Sequence, residues 1–344
     1  MEQENILISL KPEELEMADA APETGIELKL DWEHVKPDGP LHREGRITEI
    51  AKEQEVDTDR IESVHLPPGT SNANGMSATR GNVGPITDFS FNQMEDTDAY
   101  MTTHPPKNFS YEEQTNILTD LCHLTDHEIS IENTSVESDW YEPEEIAFFA
   151  FLSSQYDSLD ELHTTLDSAH LPQGRDVRQD FDVSDGNYYA PDGEIAEAME
   201  DTEIPIASLF DIDYEAAENL EQSLREDEGS LPQDYFTFIG SNLEDRAERY
   251  ASVSDNLVAD ESLSGDRYLP LLRTLFMCGD RVKSVHLNDP YSNDVPSDED
   301  IRESDGLGIA LDYMDDNSIY TVLEPENDFG RAEIRDWTEM LENY

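Results

Sequence analysis

The chain has 344 residues, with 81 Asp and Glu against 21 Lys and Arg, for a formal net charge of −60. Hydrophobic residues make up 36% and aromatics 8%, and apolar runs recur from end to end, which excludes a fully disordered acidic chain. The two cysteines, Cys122 and Cys278, exclude a disulfide framework or a zinc knuckle and read as buried thiols in helical contexts.

In chain order, eight short runs read as strands: 6–8, 26–30, 61–66, 99–103, 128–132, 163–167, 283–287 and 319–324. Each is enriched in β-branched residues and bounded by turn residues. Helical patterns lie between them. Residues 46–54 place Ile47, Ile50 and Ala51 on one face. Residues 110–124 open on Ser110 with Glu113 three positions on, a capping box. Residues 143–154 open on Pro143 with two acids in the first turn, as helix starts favour. Residues 268–277 and 331–342 complete the set.

Strand alternating with helix predicts a (β/α)8 TIM barrel, because crossovers between parallel strands need intervening helices. An open doubly wound sheet would want a glycine-rich loop after its first strand, and LKPEELEMAD stands there instead. A barrel takes about 250 residues. The surplus is expected at 171–267, an inserted lid or subdomain between strands six and seven with weak helical patterns at 214–225 and 243–258. The barrel is then 1–170 and 268–344. A second long connection, 67–95, follows strand three. The N-terminus has no basic, apolar leader pattern, and no run is long and apolar enough to span a membrane; a cytoplasmic location is expected.

The strand ends carry the chemistry. His65, His104, Glu132, Asp167, His286 and Glu324 stand at the ends of strands three to eight, with His170 three residues after Asp167 and Asp289 three after His286. A barrel delivers such residues to one face. Converging imidazoles and carboxylates suit Zn²⁺, Mn²⁺ or Fe²⁺ rather than Ca²⁺, which prefers oxygen alone.

The ordered motifs VHLPPG, THPP, IENT, LDSAH, VHLND and LEP resemble those of the xylose isomerase-like TIM barrels, the superfamily of endonuclease IV and many sugar isomerases and epimerases. The resemblance implies one divalent metal on His65, His104 and Glu132, and a second on Glu132, Asp167, His286 and Glu324, with Glu132 bridging. Sugar epimerases of the superfamily keep only the second set, with the His170 position near the substrate. The sequence departs from endonuclease IV-like members at their third metal, since NDVPSDEDIRESDGLG after strand seven has no histidine. The expected DNA-reading segment after strand two is also missing.

Two reactions follow. In sugar or sugar-phosphate isomerisation or epimerisation, one metal chelates adjacent substrate oxygens, Glu132 and Glu324 exchange the proton, and His170 orients the substrate. Lys107 and Asp289 are weaker candidates for substrate contact. In abasic-DNA phosphodiester cleavage, two metals activate water and stabilise the leaving oxygen. A non-catalytic binding barrel is the third class. The absence of a basic run disfavours nucleic acid, so a small carbohydrate is the expected partner, narrowly. The discriminating observation is geometric: His65 and His104 turned away from Glu132 would leave only the single-metal sugar reading.

The acids are interspersed rather than blocked, so they read as a solvated shell. At molar salt the screening length falls to roughly 3 Å, which relieves self-repulsion. With 6 Lys to 15 Arg, the profile resembles cytoplasmic proteins of salt-accumulating archaea.

Overall fold

A computed structural model describes residues 5–36, 39–42, 46–68, 75–105, 111–133, 161–171, 266–278, 281–290, 294–325 and 329–343. Eight parallel strands close into a barrel in sequential order. They are β1 (Ile6–Leu10), β2 (Gly25–Lys29), β3 (Ile61–His65), β4 (Tyr100–Thr103), β5 (Ile129–Glu132), β6 (Leu162–Asp167), β7 (Val282–His286) and β8 (Tyr320–Leu323). β8 pairs back onto β1 through Ile6–Thr321, Leu7–Val322 and Ile8–Leu323. Each expected strand is present within a residue or two of its expected bounds.

The helices are α1 (Trp32–Val35), α2 (Arg46–Glu53), α3 (Val83–Gln93), α4 (Tyr111–Leu124), α5 (Leu269–Cys278), α6 (Asp298–Glu303), α7 (Asp305–Asp316) and α8 (Arg331–Glu342). In α2 the expected face is buried at Ile47, Ile50 and Ala51. In α8 Ile334, Thr338 and Leu341 are buried at helical spacing. Of the two cysteines expected to be buried, Cys278 in α5 is buried and Cys122 in α4 only half-buried. Among the described residues no helix is long and apolar enough to cross a membrane.

Among the described residues, helical stretches beyond the expected set include α1 and those that follow. The LKPEELEMAD segment folds as a 3-10 helix over Pro12–Ala20. The connection 67–95 contains α3, whose Pro85 falls in the first turn, where its missing N–H costs nothing. After β7, the acidic run forms α6 and α7, capped by Ser297 and Ser304. The expected helix at 143–154, the Ser110 cap, Lys107 and most of the 171–267 insertion lie outside the described residues.

Strand register decides which side chains enter the barrel. Ser9 pairs with Glu27, Glu27 with Ser63, and Lys29 with His65. Glu132 pairs with Thr165, and Asp167 with His286. Partners in register share a face. Ile26 and Leu28 therefore pack outward under the helices, while Glu27 and Lys29 point into the barrel. Gly25 opens β2 because a Cβ there would run into the Leu7 side chain of β1. Two helices end on left-handed residues that are not glycine, Glu55 (φ 60) and Ser318 (φ 54). The bonds Val56 N–H to Ala51 O (2.9 Å) and Ile319 N–H to Met314 O (2.9 Å) close both ends as Schellman motifs.

Candidate metal centre

Glu132, the last residue of β5, is the hub. Its Oε2 lies 3.1 Å from His65 Nε2 and 2.8 Å from His104 Nε2, and its Oε1 lies 2.7 Å from His286 Nδ1. His286 Nδ1 is also 3.1 Å from Glu324 Oε2. The rings of His65 and His104 stack with centroids 5.2 Å apart, and His65 and His286 are also 5.2 Å apart. These side chains come from β3, β5 and β7 and from the residues just after β4 and β8. They meet because parallel strands end on one rim.

Among the described residues, ligand atoms come close enough to share an ion in four groups: His65, His104 and Glu132; Glu132, His286 and Glu324; Glu132, Asp167 and His170; and Glu27, His65 and His286. Glu132 belongs to three of the four. Asp167 falls with His170 rather than with His286 and Glu324. Its Oδ2 is 2.7 Å from His170 Nδ1, and its Oδ1 accepts the Ala169 N–H at 2.8 Å.

The donor set fits a cation. Both ring nitrogens of His65, Nδ1 of His104, Nδ1 of His286 and Oε2 of Glu132 are buried without a hydrogen bond of proper geometry, despite their short contacts. Buried polar atoms are rarely left so. A bound ion would satisfy those of them that face one another, His65 Nε2 with Glu132 Oε2 and His286 Nδ1 beside Glu132 Oε1.

Charge balance points the same way. Among the described residues, Glu27, Glu132, Asp167 and Glu324 meet one fixed cation, Lys29, which is ion-paired to Glu324 Oε1. Burial works against charge on Glu132, but His65, His286 and His104 hold its carboxyl well below the ordinary range. Burial also opposes charge on Glu324, yet His286 and Lys29 bring it down to about 2. Burial would discharge His65, but Glu132 and Glu27 outweigh it and push the imidazole up to about 9. His286 stands well above its usual value, because Glu27, Glu324 and Glu132 outweigh its burial. At His104 burial prevails and the shift is downward. Without an ion, protons on His65 and His286 therefore balance the carboxylates.

Several members were not legible as site residues. Glu27 and Lys29 stand within β2, not at a motif. The signal was present in Ile26-Glu27-Leu28-Lys29-Leu30: if apolar residues face the helices, the alternate acid and base must face the barrel axis. Asn133, from IENT, accepts the Asp167 N–H at 2.6 Å and donates to the Asp167 carbonyl at 3.2 Å. Ser168 donates to the Asn288 carbonyl at 2.6 Å. These bonds lock the ends of β5, β6 and β7 together.

Asp289, expected near the substrate, is 5% exposed and lies 2.5 Å from Arg267 Nη1. Arg267 also pairs with Asp300 of α6. Asp289 thus anchors the chain returning to α5. His170 and Lys29, with side chains 24% and 36% exposed, are the most open members and mark the solvent side. No model of a known protein family matches the chain, and no curated protein matches it.

Proposed function

We propose that this chain is a divalent-metal-dependent barrel enzyme whose Glu132 bridges two ion positions, and that it hydrolyses a phosphoester. One observation carries this reading: His65 and His104 both bring Nε2 close to the same oxygen of Glu132, 3.1 and 2.8 Å away. A single-ion sugar isomerase has no use for that pair. The arrangement is the one implied by the resemblance to endonuclease IV-like members of the xylose isomerase-like barrels.

Ions in these positions would supply Lewis acidity and a water of lowered pKa. His65, His104 and Glu132 would hold one; Glu132, His286 and Glu324 the other, with Asp167 at its edge. His170, anchored to Asp167 and open to solvent, is placed to orient a substrate oxygen. Lys29 adds a positive charge at the rim where a phosphoryl group would lie. The sequence has no basic run to track a long nucleic acid, which favours a small phosphoester over duplex DNA.

The second reading is the one the sequence narrowly favours, sugar or sugar-phosphate isomerisation. The group of Glu132, His286 and Glu324 supports it, since two carboxylates flanking one ion could exchange a proton with the substrate. The ion pair of Lys29 with Glu324 counts against Glu324 as a free base.

The test is one panel at high KCl with Mn²⁺ or Zn²⁺ added. It contains bis-p-nitrophenyl phosphate, an abasic-site oligonucleotide, and ketoses and aldoses with their phosphates. Metal-dependent ester cleavage with no sugar interconversion is expected. Interconversion alone would establish the second reading, and protein that cannot be loaded with any divalent ion would overturn both.

A further inference from the structure

Below the rim, Glu27 of β2 is fully enclosed. Its Oε1 accepts from Ser9 Oγ of β1 at 2.9 Å and lies 3.6 Å from His65 Nδ1. Its Oε2 accepts from Ser63 Oγ of β3 at 3.3 Å and bonds His286 Nε2 at 3.1 Å. The two neighbouring strands thus hold the carboxylate from either side. The bond to His286 crosses the barrel, because β2 and β7 are not adjacent.

A carboxylate can only accept, so His286 Nε2 must be the donor in that bond. The other ring nitrogen, Nδ1, faces Glu132 Oε1 and Glu324 Oε2 and makes no hydrogen bond of proper geometry. One nitrogen is committed to a buried acceptor while the other is presented to the ion position. An imidazole held this way has its tautomer and ring plane fixed by the acceptor behind it.

We propose that Glu27 is a positioning residue for the metal centre: it locks His286 with Nε2 protonated, so that Nδ1 is the ligating atom. Glu27 lies beneath the ligands and does not reach the substrate. The proposal rests on the metal-centre reading above but not on which reaction the centre performs.

The experiment uses the full chain, labelled with ¹⁵N-histidine and loaded with Zn²⁺. Two-bond ¹H–¹⁵N spectra, assigned against His286→Asn, read the tautomer of His286; Nε2–H with a metal-bound Nδ1 is expected. Zn²⁺ affinity is measured by chelator competition for the wild type and the near-isosteric Glu27→Gln. The variant is expected to bind about 10–100-fold more weakly, with circular dichroism of the metal-free protein unchanged. Glu27→Ala is expected to release the His286 tautomer as well, which a merely structural role would not do. Coordination of wild-type His286 through Nε2 would overturn the proposal, as would unchanged affinity in Glu27→Gln. So would a Glu27→Gln protein that loses one whole ion and holds the rest at wild-type affinity, since Glu27 would then itself be a ligand. A wild type that binds no Zn²⁺ overturns the metal-centre reading, and this proposal with it.

Discussion

Lys29, at the end of β2, is ion-paired to Glu324, just past the end of β8, so among the described residues the fixed cation of the centre sits on one of its candidate ligands. Burial opposes the charge on Lys29, but Glu324, then Glu132 and Glu27, push its ammonium above the usual lysine value. The pair reaches across β1, which lies between the two strands. This ammonium offsets the carboxylates while competing with an ion for Glu324.

Lys29→Gln should therefore tighten divalent-ion binding, by up to about tenfold, or ~1.4 kcal/mol. Turnover of a phosphoester should fall, because the rim loses its charge. Calorimetric titration of both proteins, beside kcat at saturating metal, checks the two halves separately. Weaker ion binding would show that Lys29 instead holds Glu324 in its ligating position.

Ion affinity should rise with pH. Ligation needs neutral imidazole, and without an ion His65 holds its proton up to about pH 9. Between pH 7 and 9, Mn²⁺ affinity should climb about tenfold per pH unit for each proton displaced. The raised value also sets a stability trend for the metal-free protein. That contribution is complete below the unfolded histidine value near 6.5 and is lost as pH rises through about 9. Proton release, read by titration calorimetry in buffers of different ionisation enthalpy, measures the number; none released at pH 7 contradicts the charge balance.

Two substitutions separate the reactions. Glu132→Gln should abolish activity under either reading, since Glu132 belongs to both expected ligand sets. His104→Ala should lower phosphoester cleavage by at least about a hundredfold (~2.7 kcal/mol) if two ions act. It should leave a single-ion sugar reaction nearly intact. Kinetics of both variants on the same substrate panel give the answer.

Away from the centre, Ser318 ends α7 in the left-handed region (φ 54). An L side chain there costs about 1 kcal/mol or more, and glycine takes the conformation freely. Ser318→Gly should raise stability by about 0.5–1 kcal/mol, after allowing for glycine's entropy in the unfolded chain. Urea unfolding with an unchanged m-value tests it.

With a net charge of −60, stability should rise from 0.1 M to molar KCl as self-repulsion is screened. Thermal unfolding across a KCl series measures this. A flat or falling midpoint would argue against adaptation to salt.

The eight strands were readable because each is a short apolar run between polar turns, and the barrel followed from their alternation with helices. The residues at strand ends, His65, His104, Glu132, Asp167, His286 and Glu324, were readable for the same reason. A closed parallel barrel gathers strand ends on one rim, whatever the details of packing. Helix α3 was hidden because a Gly-Pro start inside a polar connection carries little helical pattern.

Glu27 and Lys29 show where sequence stops. Side-chain alternation in β2 sends one set to the helices and the other to the barrel axis, but alternation alone does not reveal what an inward side chain will face. Glu27 meets His286 only because closure brings β7 opposite β2, and Lys29 meets Glu324 only because β8 returns to pair with β1. The division of Asp167 from Glu324, and the turning of His65 and His104 toward one oxygen of Glu132, are likewise set by register around the ring. The sequence by itself determined the barrel and the identities of its rim residues, because both depend on local periodicity. Which rim residues share an ion position was decided only by the tertiary structure, because contacts across a closed barrel depend on the register of all eight strands together.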